Sequence, residues 1–358
     1  MALAERLTDA VKKLLVLAAA AVVTLLALPA PIQSRAWDPP RPPNLDGALA
    51  LNQALRGAER LAAGQLVGPS GVVVDELGRV TTGTLDGKIV RIAPNAPLEV
   101  VTETGGRPLG LALSPSGDLI VADAMKGLLR VDAEGHIEVL AREAEGQALR
   151  FARGVAVAND GTIYLTDASD EHGWHEQTTA VLEAEPTGRL IRIHPSARVA
   201  TVIARDLFLP GGVALAPDES YLVVSESAGY RLTRVWLSGD RRNLAEPFSE
   251  NLPGFPDGVS FSTRGTLWLA LPALRSSLLD VLHPLPFLKD TFAGLPTALL
   301  PRARPHGLIL ELDASGRPLR GFHDEGGALF RDVTSVVEDR GALLFGTSSG
   351  TAVGSLPL

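Results

Sequence analysis

Two residues of opposite charge, Arg153 and Asp257, occupy equivalent positions in a phrase that the chain repeats six times. Five copies begin with glycine, and a sixth begins at 334: "GVVVDELG", "GLALSPSG", "GVAVANDG", "GVALAPDE", "GVSFSTRG" and "TSVVEDRG". The residues that immediately precede the phrases, here called the leading residues, are Ser70, Leu109, Arg153, Gly211, Asp257 and Val333. A guanidinium and a carboxylate at equivalent positions of a repeat can pair with each other, or the guanidinium can bind an anion.

The repeated phrase predicts the fold. Each copy is followed by a second apolar stretch and usually by a third, with turn-forming Gly, Asp, Asn and Pro between them. Six such units, beginning 39 to 76 residues apart, favour an all-β, six-bladed β-propeller with four-stranded blades. A β-sandwich has no reason to repeat one phrase six times. A doubly wound fold would need helices between the strands, and the sequence predicts none after residue 66.

The first strand of each propeller blade lies beside the central channel, so we expect the leading residues to form a ring at one end of it. The loops between second and third strands lie at the same end. Two are long, roughly 167–187 and 271–306, and long loops on a rigid scaffold commonly carry function. The second is apolar enough for one or two short amphipathic helices. These loops either simply cover the propeller, form a lid over an apolar substrate, or contact a membrane surface.

The N-terminus predicts export. Leu14–Pro29 is a run of 16 residues in which Thr24 is the only polar side chain, and it follows Lys12 and Lys13. We interpret residues 1–36 as a signal-anchor segment that holds the rest of the chain on the non-cytoplasmic side of a membrane, periplasmic or lumenal. Cleavage near Ala36, giving a secreted protein, and a buried helix are the alternatives. Residues 37–57 form a Pro-rich linker and lead-in, and 58–358 form the propeller.

The composition excludes several classes of function. The formal net charge is −8 and there are no basic runs, so the chain lacks the means to neutralise nucleic-acid phosphates. Cysteine is absent, which excludes a disulfide framework, a thiolate nucleophile and cysteine-ligated zinc.

About 300 residues of the chain resemble the strictosidine synthase-like family. The motifs that carry the resemblance are "AERLAAGQLVGPSG", "GRPLGLAL", "VADAMKGLL", "PTGRL", "ENLPGFPDG" and "LELDASGRPLRGFHD". The resemblance implies a six-bladed propeller, an N-terminal membrane helix and a distant relation to gluconolactonases and paraoxonases.

The resemblance also implies a calcium site at the channel mouth in the wider group, built from a glutamate and several Asn or Asp. Here Ser70 stands in place of the glutamate, and Arg153 and Gly211 stand in place of asparagines, while Asp257 remains. Arginine repels a cation, so we expect no calcium there and an ion pair between Arg153 and Asp257 instead. Thr334 stands where strictosidine synthase has its glutamate, so strictosidine synthesis is not expected. Ser70, Arg153, Gly211 and Thr334 are the candidate ligand-binding residues.

Asp257 and His306 are the candidate catalytic residues. The chain has no G-x-S-x-G elbow and no readable Ser–His–Asp spacing. His306 opens a predicted strand near the channel end of blade five, where an imidazole can act as general base for water attack on an ester or lactone. A hydrogen bond to backbone at the strand start is the structural alternative.

Three other groups of residues have structural interpretations that we favour. A weak metal site in the first long loop competes with a solvated loop; its residues are Asp170, Glu171, His172 and His175. Within blade four, Glu226 is expected to pair with Arg231. Asp123 and Asp167 recur at equivalent positions of the repeat and are expected to orient loops.

Two classes of function follow. The first is a membrane-anchored hydrolase of esters or lactones, arylesterase-like, without metal or other cofactor. The second is a non-catalytic propeller that binds a protein partner or a small ligand, with Arg153 receiving an anion such as a carboxylate. A metal-free biosynthetic enzyme with chemistry of its own is a third possibility. The expected partners are a small-molecule ligand or ester substrate and the membrane, through Leu14–Pro29.

Overall fold

Each repeated phrase forms an antiparallel hairpin with the apolar stretch that follows it. In the computed structural model, which describes residues 12–13, 32–194, 199–295 and 304–358, Val72 pairs with Thr82 and Leu111 with Val121. Two further antiparallel strands complete each sheet. The described residues therefore form six four-stranded sheets, which are the blades of the β-propeller that the sequence predicts.

The strands follow one another blade by blade, and the first strand of each blade packs against the first strands of its neighbours. A short strand, β1 (Glu59–Leu61), precedes them. Blade one consists of β2 (Val72–Val74), β3 (Val80–Gly83), β4 (Lys88–Ile92) and β5 (Glu99–Glu103), and blade two of β6 (Pro108–Leu113), β7 (Leu119–Asp123), β8 (Gly127–Val131) and β9 (Ile137–Ala141). A small hairpin of β10 (Glu143–Ala144) and β11 (Gln147–Ala148) follows. Blade three consists of β12 (Ala152–Val157), β13 (Ile163–Asp167), β14 (Gly188–Ile193) and β15 (Ala200–Leu207). Blade four consists of β16 (Pro210–Leu215), β17 (Tyr221–Glu226), β18 (Arg231–Trp236) and β19 (Ala245–Ser249), and blade five of β20 (Val259–Phe261), β21 (Leu267–Leu271), β22 (His306–Leu312) and β23 (Pro318–Glu325). Blade six contains β24 (Val333–Asp339), β25 (Ala342–Thr347) and β26 (Val353–Pro357).

Strand β1 closes the ring. It is the outermost strand of blade six, where Glu59 pairs with Ser355 and Leu61 with Val353. The two ends of the propeller sequence are therefore joined within one sheet, which leaves no open seam between the first and last blades.

The core lies between the blades, because each blade is covered on both faces. In β21 all five residues are buried. Leu269 faces blade four and packs in one cluster with Val223, whereas its neighbour Trp268 faces blade six and packs with Phe345. Alternate residues of one strand thus fill two different interfaces, which explains why the sequence shows continuous apolar stretches there.

Three short helices lie in the two long loops at the channel end. They are α1 (Gln177–Glu183), α2 (Ser277–Leu282) and α3 (Pro286–Ala293). The pair in the second loop is predicted by the sequence, and Ser276 caps α2 by accepting a hydrogen bond from Leu279 N at 3.4 Å. The expectation of no helix between strands is wrong for α1, which is too short for a helical period to stand out. Single 3₁₀ turns occur at Gly47–Leu49, Ala54–Gly57, Trp174–Glu176 and Gly239–Arg241.

The segment assigned to a linker packs on the propeller. Trp37 lies among the rings of Phe208, Tyr230 and His283, with centroid distances of 5.8, 5.7 and 4.9 Å. The hydrophobic run Leu14–Pro29 lies outside the described residues. Within the described ranges, no helix has the length and apolar character needed to cross a membrane.

Candidate functional site

The repeated glycines let the innermost strands of neighbouring blades approach closely. A Cβ at Gly154 would lie 2.4 Å from the carbonyl oxygen of Gly211, and one at Gly71 would lie 2.2 Å from that of Leu109. In both pairs the carbonyl belongs to the leading residue of the next blade. Each glycine therefore determines how near to the channel axis the next leading residue can lie.

Blade six departs from the predicted alignment by one residue. Val333 is fully buried in the core between blades, whereas Thr334 lines the channel and its carbonyl oxygen faces Gly258. The β24–β25 hairpin has a two-residue turn, 340–341, where β6–β7 has five residues, 114–118. Counting back from the last glycine of the phrase therefore gives the wrong leading residue, and the correct one is Thr334.

The leading residues surround a cavity of about 180 Å³ at the channel mouth. Side chains from the two long loops cover it. The leading residues that line it are Ser70, Leu109, Arg153, Asp257 and Thr334, and the covering residues are Trp174, Gln177 and Pro272. Gly211 does not line the cavity itself, although its neighbour Gly212 does.

Arg153 and Asp257 form the ion pair that the sequence predicts across the channel. Arg153 Nη2 donates to Asp257 Oδ2 at 3.0 Å, and the side chains are only 8% and 9% exposed. Burial raises the pKa of Asp257, and the adjacent guanidinium opposes this rise. The second terminal nitrogen, Arg153 Nη1, is buried without a hydrogen-bond partner in the structure. The pair therefore leaves one strong donor unused on a residue that lines the cavity.

Both partners of the ion pair are held in place by their surroundings. The guanidinium carbon of Arg153 lies 5.6 Å from the ring centroid of Phe151. The backbone of Asp257 donates to Ala270 O at 2.9 Å and accepts from Ser225 Oγ at 2.6 Å. The main-chain hydrogen bonds hold Asp257 in position, and the ion pair with Arg153 holds its carboxylate.

A second buried arginine supports the cavity wall. Arg107 Nη2 donates to Ser70 Oγ, and its Nη1 donates to Gly68 O at 3.0 Å. Its guanidinium carbon lies 5.4 Å from the ring centroid of Trp174. Burial lowers the pKa of Arg107 to about 10, so it remains a cation at neutral pH.

The donor set at the channel mouth does not fit calcium. Calcium takes six to eight oxygen ligands, and here Asp257 supplies the one carboxylate among the leading residues, already bound to Arg153. The hydroxyl of Ser70 accepts from Arg107. A Cβ at Gly211 would lie 2.7 Å from Asp257 Oδ1, so no side chain fits there while the carboxylate keeps its place.

His306 begins its strand at the channel end of blade five, as the sequence predicts, but it does not line the cavity. It begins β22, the third strand of its blade, and its Nε2 lies 2.9 Å from Nδ1 of His323 on β23. Burial lowers the pKa of both imidazoles, that of His323 to about 4. Neither histidine lines the channel mouth, so the two candidate catalytic residues, His306 and Asp257, are not brought together.

The first long loop contains a group of possible metal ligands that differs from the predicted one. Glu171, His172 and Glu183 bring ligand atoms within 4.8 Å of one another, whereas Asp170 and His175 are not members of this group. His172 Nε2 is hydrogen-bonded to Glu183 Oε2. Sequence reasoning missed Glu183 because it lies in α1, which was not predicted. The hydrogen bond gives this cluster a structural role in joining loop and helix.

The other charged residues that the sequence singles out make structural contacts. Arg231 donates to Glu226 through Nε and Nη2, both at 2.8 Å, inside blade four. Asp123 accepts three backbone hydrogen bonds. Asp167 accepts from the backbone of Phe151 at 2.8 Å and binds Arg189 at 2.5 Å. The two aspartates thus order the chain that leads into the innermost strands.

Sequence reasoning missed the residues that lie just before the leading ones. Arg107 precedes Leu109 by two positions, and Phe151 precedes Arg153 by the same two positions. The guanidinium of Arg107 stacks on the ring of Trp174, and the ring of Phe151 lies against the guanidinium of Arg153. Extending the repeat alignment two residues upstream would have identified them, whereas Trp174 belongs to a loop outside the repeat and carries no such signal.

A solved structure with the same fold is that of a gluconolactonase from Xanthomonas campestris. It matches with a TM-score of 0.62 over 93% of this chain and 99% of that chain, at 19% sequence identity. At that identity the match establishes the fold and not the chemistry.

Sequence relatives define the family. A family model described as strictosidine synthase matches residues 153–240, and one described as strictosidine synthase-like, N-terminal, matches residues 47–92. Strictosidine synthase-like 6 from Arabidopsis thaliana is 34% identical over 279 residues, covering 76% of this chain and 74% of the relative. The adipocyte plasma membrane-associated protein of Rattus norvegicus is 33% identical over 348 residues, covering 90% and 92%. This chain therefore belongs to the strictosidine synthase-like family.

Proposed function

We propose that the channel mouth binds a small molecule that presents a carboxylate or carbonyl oxygen to Arg153. The observation that carries this proposal is the buried Nη1 of Arg153, a residue that lines the cavity; this nitrogen has no hydrogen-bond partner in the structure. A buried donor without a partner is unfavourable by about 1–3 kcal/mol or more. An acceptor oxygen on a ligand would satisfy it, and the bond would be charge-assisted.

The cavity walls suggest what else such a ligand carries. Leu109, Trp174 and Pro272 supply apolar surface to the same cavity as the charged pair. A volume of about 180 Å³ limits the part of the ligand that enters the channel to a small group. The ligand that fits best has an oxygen-bearing head and an apolar body.

Ligand-dependent thermal stabilisation tests this proposal. We expect short apolar carboxylates to raise the melting temperature of the full chain and the matched primary alcohols not to do so. A ligand at a hundred times its Kd stabilises by about 2.7 kcal/mol. The double variant Arg153→Met/Asp257→Leu keeps an apolar pair in place of the ion pair and should lose the effect, whereas Arg130→Met, at a half-exposed surface arginine, should retain it. Equal stabilisation of the double variant would overturn the proposal.

Hydrolysis of an ester or lactone is the second candidate. It is favoured by the position of Asp257, which lines the same cavity as Arg153 and whose pKa is raised by burial. A substrate carbonyl bound by Arg153 Nη1 would be polarised. Asp257 would take a proton from the attacking water and, once the carbon–oxygen bond breaks, would return that proton to the leaving alkoxide. The gluconolactonase with the same fold makes lactones a reasonable first substrate class.

Aryl esters and lactones are the substrates with which to test this second function. Asp257→Asn keeps the shape of the side chain and removes the base, so we expect kcat to fall by about a hundredfold or more. His306→Gln should leave the rate unchanged, because His306 lies outside the cavity. Loss of activity in His306→Gln with retention in Asp257→Asn would contradict the placement of the site.

Attachment to a membrane through Leu14–Pro29, with the propeller on the non-cytoplasmic side, remains our proposal for localisation. Its support is the apolar composition of the run and the two lysines that precede it. A relative that covers most of this chain is a plasma membrane-associated protein.

A further inference from the structure

Two neighbouring helices in blade five expose a concentration of large apolar side chains. These side chains, here called the helical cap, belong to α2, α3 and the turn between them, and they are Leu278, Val281, Leu285, Phe287 and Leu288. Val281 is 64% exposed and Phe287 is 61% exposed. Single exposed apolar residues are common on protein surfaces, whereas a contiguous group of this kind marks an interaction surface.

The helical cap lies beside the chain that leads from the N-terminal hydrophobic run. Ser34 Oγ donates to Asp290 Oδ1 at 2.6 Å, and Lys289 Nζ donates to Arg35 O at 2.5 Å. In these two contacts, Asp290 and Lys289 are the residues that lie on α3. The run Leu14–Pro29 ends shortly before these residues in the sequence, so the described chain that follows the run contacts α3.

The charged groups of the two helices are engaged within the protein. Asp280 binds Arg275 at 3.0 Å, Asp290 accepts from Ser34, and Lys289 is fully buried. Among the described residues of the two helices, no basic side chain is exposed, because His283 and Lys289 are both buried. Such a surface suits the hydrocarbon boundary of a bilayer more than anionic headgroups.

We propose that the helical cap lies in the interfacial region of the membrane and forms a second contact beside the N-terminal run. The loop that carries α2 and α3 also supplies Pro272 to the cavity wall. The channel mouth consequently faces the bilayer at close range, and the opposite end of the propeller faces the solvent. The proposal concerns a surface separate from Arg153 and does not depend on the proposed ligand, but it rests on the proposed membrane attachment through Leu14–Pro29.

Site-specific fluorescence on the full chain in phosphatidylcholine vesicles tests this orientation. The chain contains no cysteine, so a single introduced thiol can carry an environment-sensitive fluorophore. We expect labels at Phe287→Cys and Val281→Cys to show blue-shifted emission and quenching by nitroxides on the lipid acyl chains. The matched control is Leu77→Cys, which is 70% exposed in the turn between β2 and β3 at the opposite end of the propeller. Its label should show neither effect.

Three results would overturn the proposal. Labels at 281 and 287 that behave like the label at 77 would mean that the N-terminal run alone contacts the bilayer. Self-quenching of the label at 287 without nitroxide lipid would mean that a second copy of the chain covers the cap. Quenching that appears only with added phosphatidylglycerol would mean that charge, not apolar insertion, drives the contact.

Discussion

Replacing Arg153 with methionine is expected to lower the free energy of unfolding at neutral pH by about 3–5 kcal/mol, because it leaves a buried carboxylate without its cation. Asp257 is only 9% exposed, and its ion pair with Arg153 is 3.0 Å long. Chemical denaturation of the variant and the unchanged chain, compared at the same pH, measures the loss. The double variant Arg153→Met/Asp257→Leu removes both charges and should recover most of the stability.

The loss of unfolding free energy in Arg153→Met should depend on pH, in a direction that the pKa of Asp257 determines. Without the guanidinium, burial alone sets the pKa of Asp257 in the folded state, and burial raises it above the value in the unfolded chain. Stability is therefore fully present below the unfolded pKa and is lost as pH rises through the raised folded pKa. The deficit should shrink in acid. A deficit that stays constant down to acid pH would show that Arg153 stabilises the fold by packing and not by its charge.

Substitution of Gly154 by alanine is expected to destabilise the propeller by about 3 kcal/mol, the upper end of the usual range for overpacking. The added Cβ would lie 2.4 Å from Gly211 O and 2.9 Å from Gly212 Cα. Both are main-chain atoms of the next innermost strand and cannot move aside as a flexible side chain would. Thermal or chemical unfolding measures the change.

Gly57→Ala is the matched control for that substitution. A Cβ at Gly57 would meet only Leu356 Cδ1, at 3.9 Å, which is ordinary van der Waals contact. We expect this variant to unfold like the unchanged chain. If Gly154→Ala were equally harmless, the repeated glycine would be a turn residue and not the close contact between blades that the structure shows.

The repeated phrase predicts most of the fold because it forms a hairpin with the stretch that follows it, and that second strand is buried along its whole length in blades one, two, three and five and is therefore strongly apolar. The fourth strand of each blade is harder to recognise. β5, with sequence "EVVTE", lies at the outer edge and is mostly exposed, so its composition is close to that of a loop. Helix α1 was not predicted for a related reason, because its seven residues contain barely two turns of periodic pattern.

The candidate site was predictable where it belongs to the repeat and not elsewhere. Arg153 and Asp257 could be paired from the sequence because both are leading residues, and blade geometry brings such residues to one ring. His306 also begins a strand at the channel end, but a strand start does not specify distance from the axis, and β22 is the third strand outward. Trp174 reaches the cavity from a loop whose path no repeat determines.

The calcium content of the full chain, purified without chelator and measured by elemental mass spectrometry, tests the central claim most directly. Our account holds that Arg153 and Asp257 form an ion pair where the wider group of propellers carries a metal ion, and that Gly211 supplies no ligand in place of an asparagine. It predicts calcium far below one ion per chain. One tightly held calcium per chain would contradict the account, because the ion and the guanidinium of Arg153 cannot share the same carboxylate at this distance.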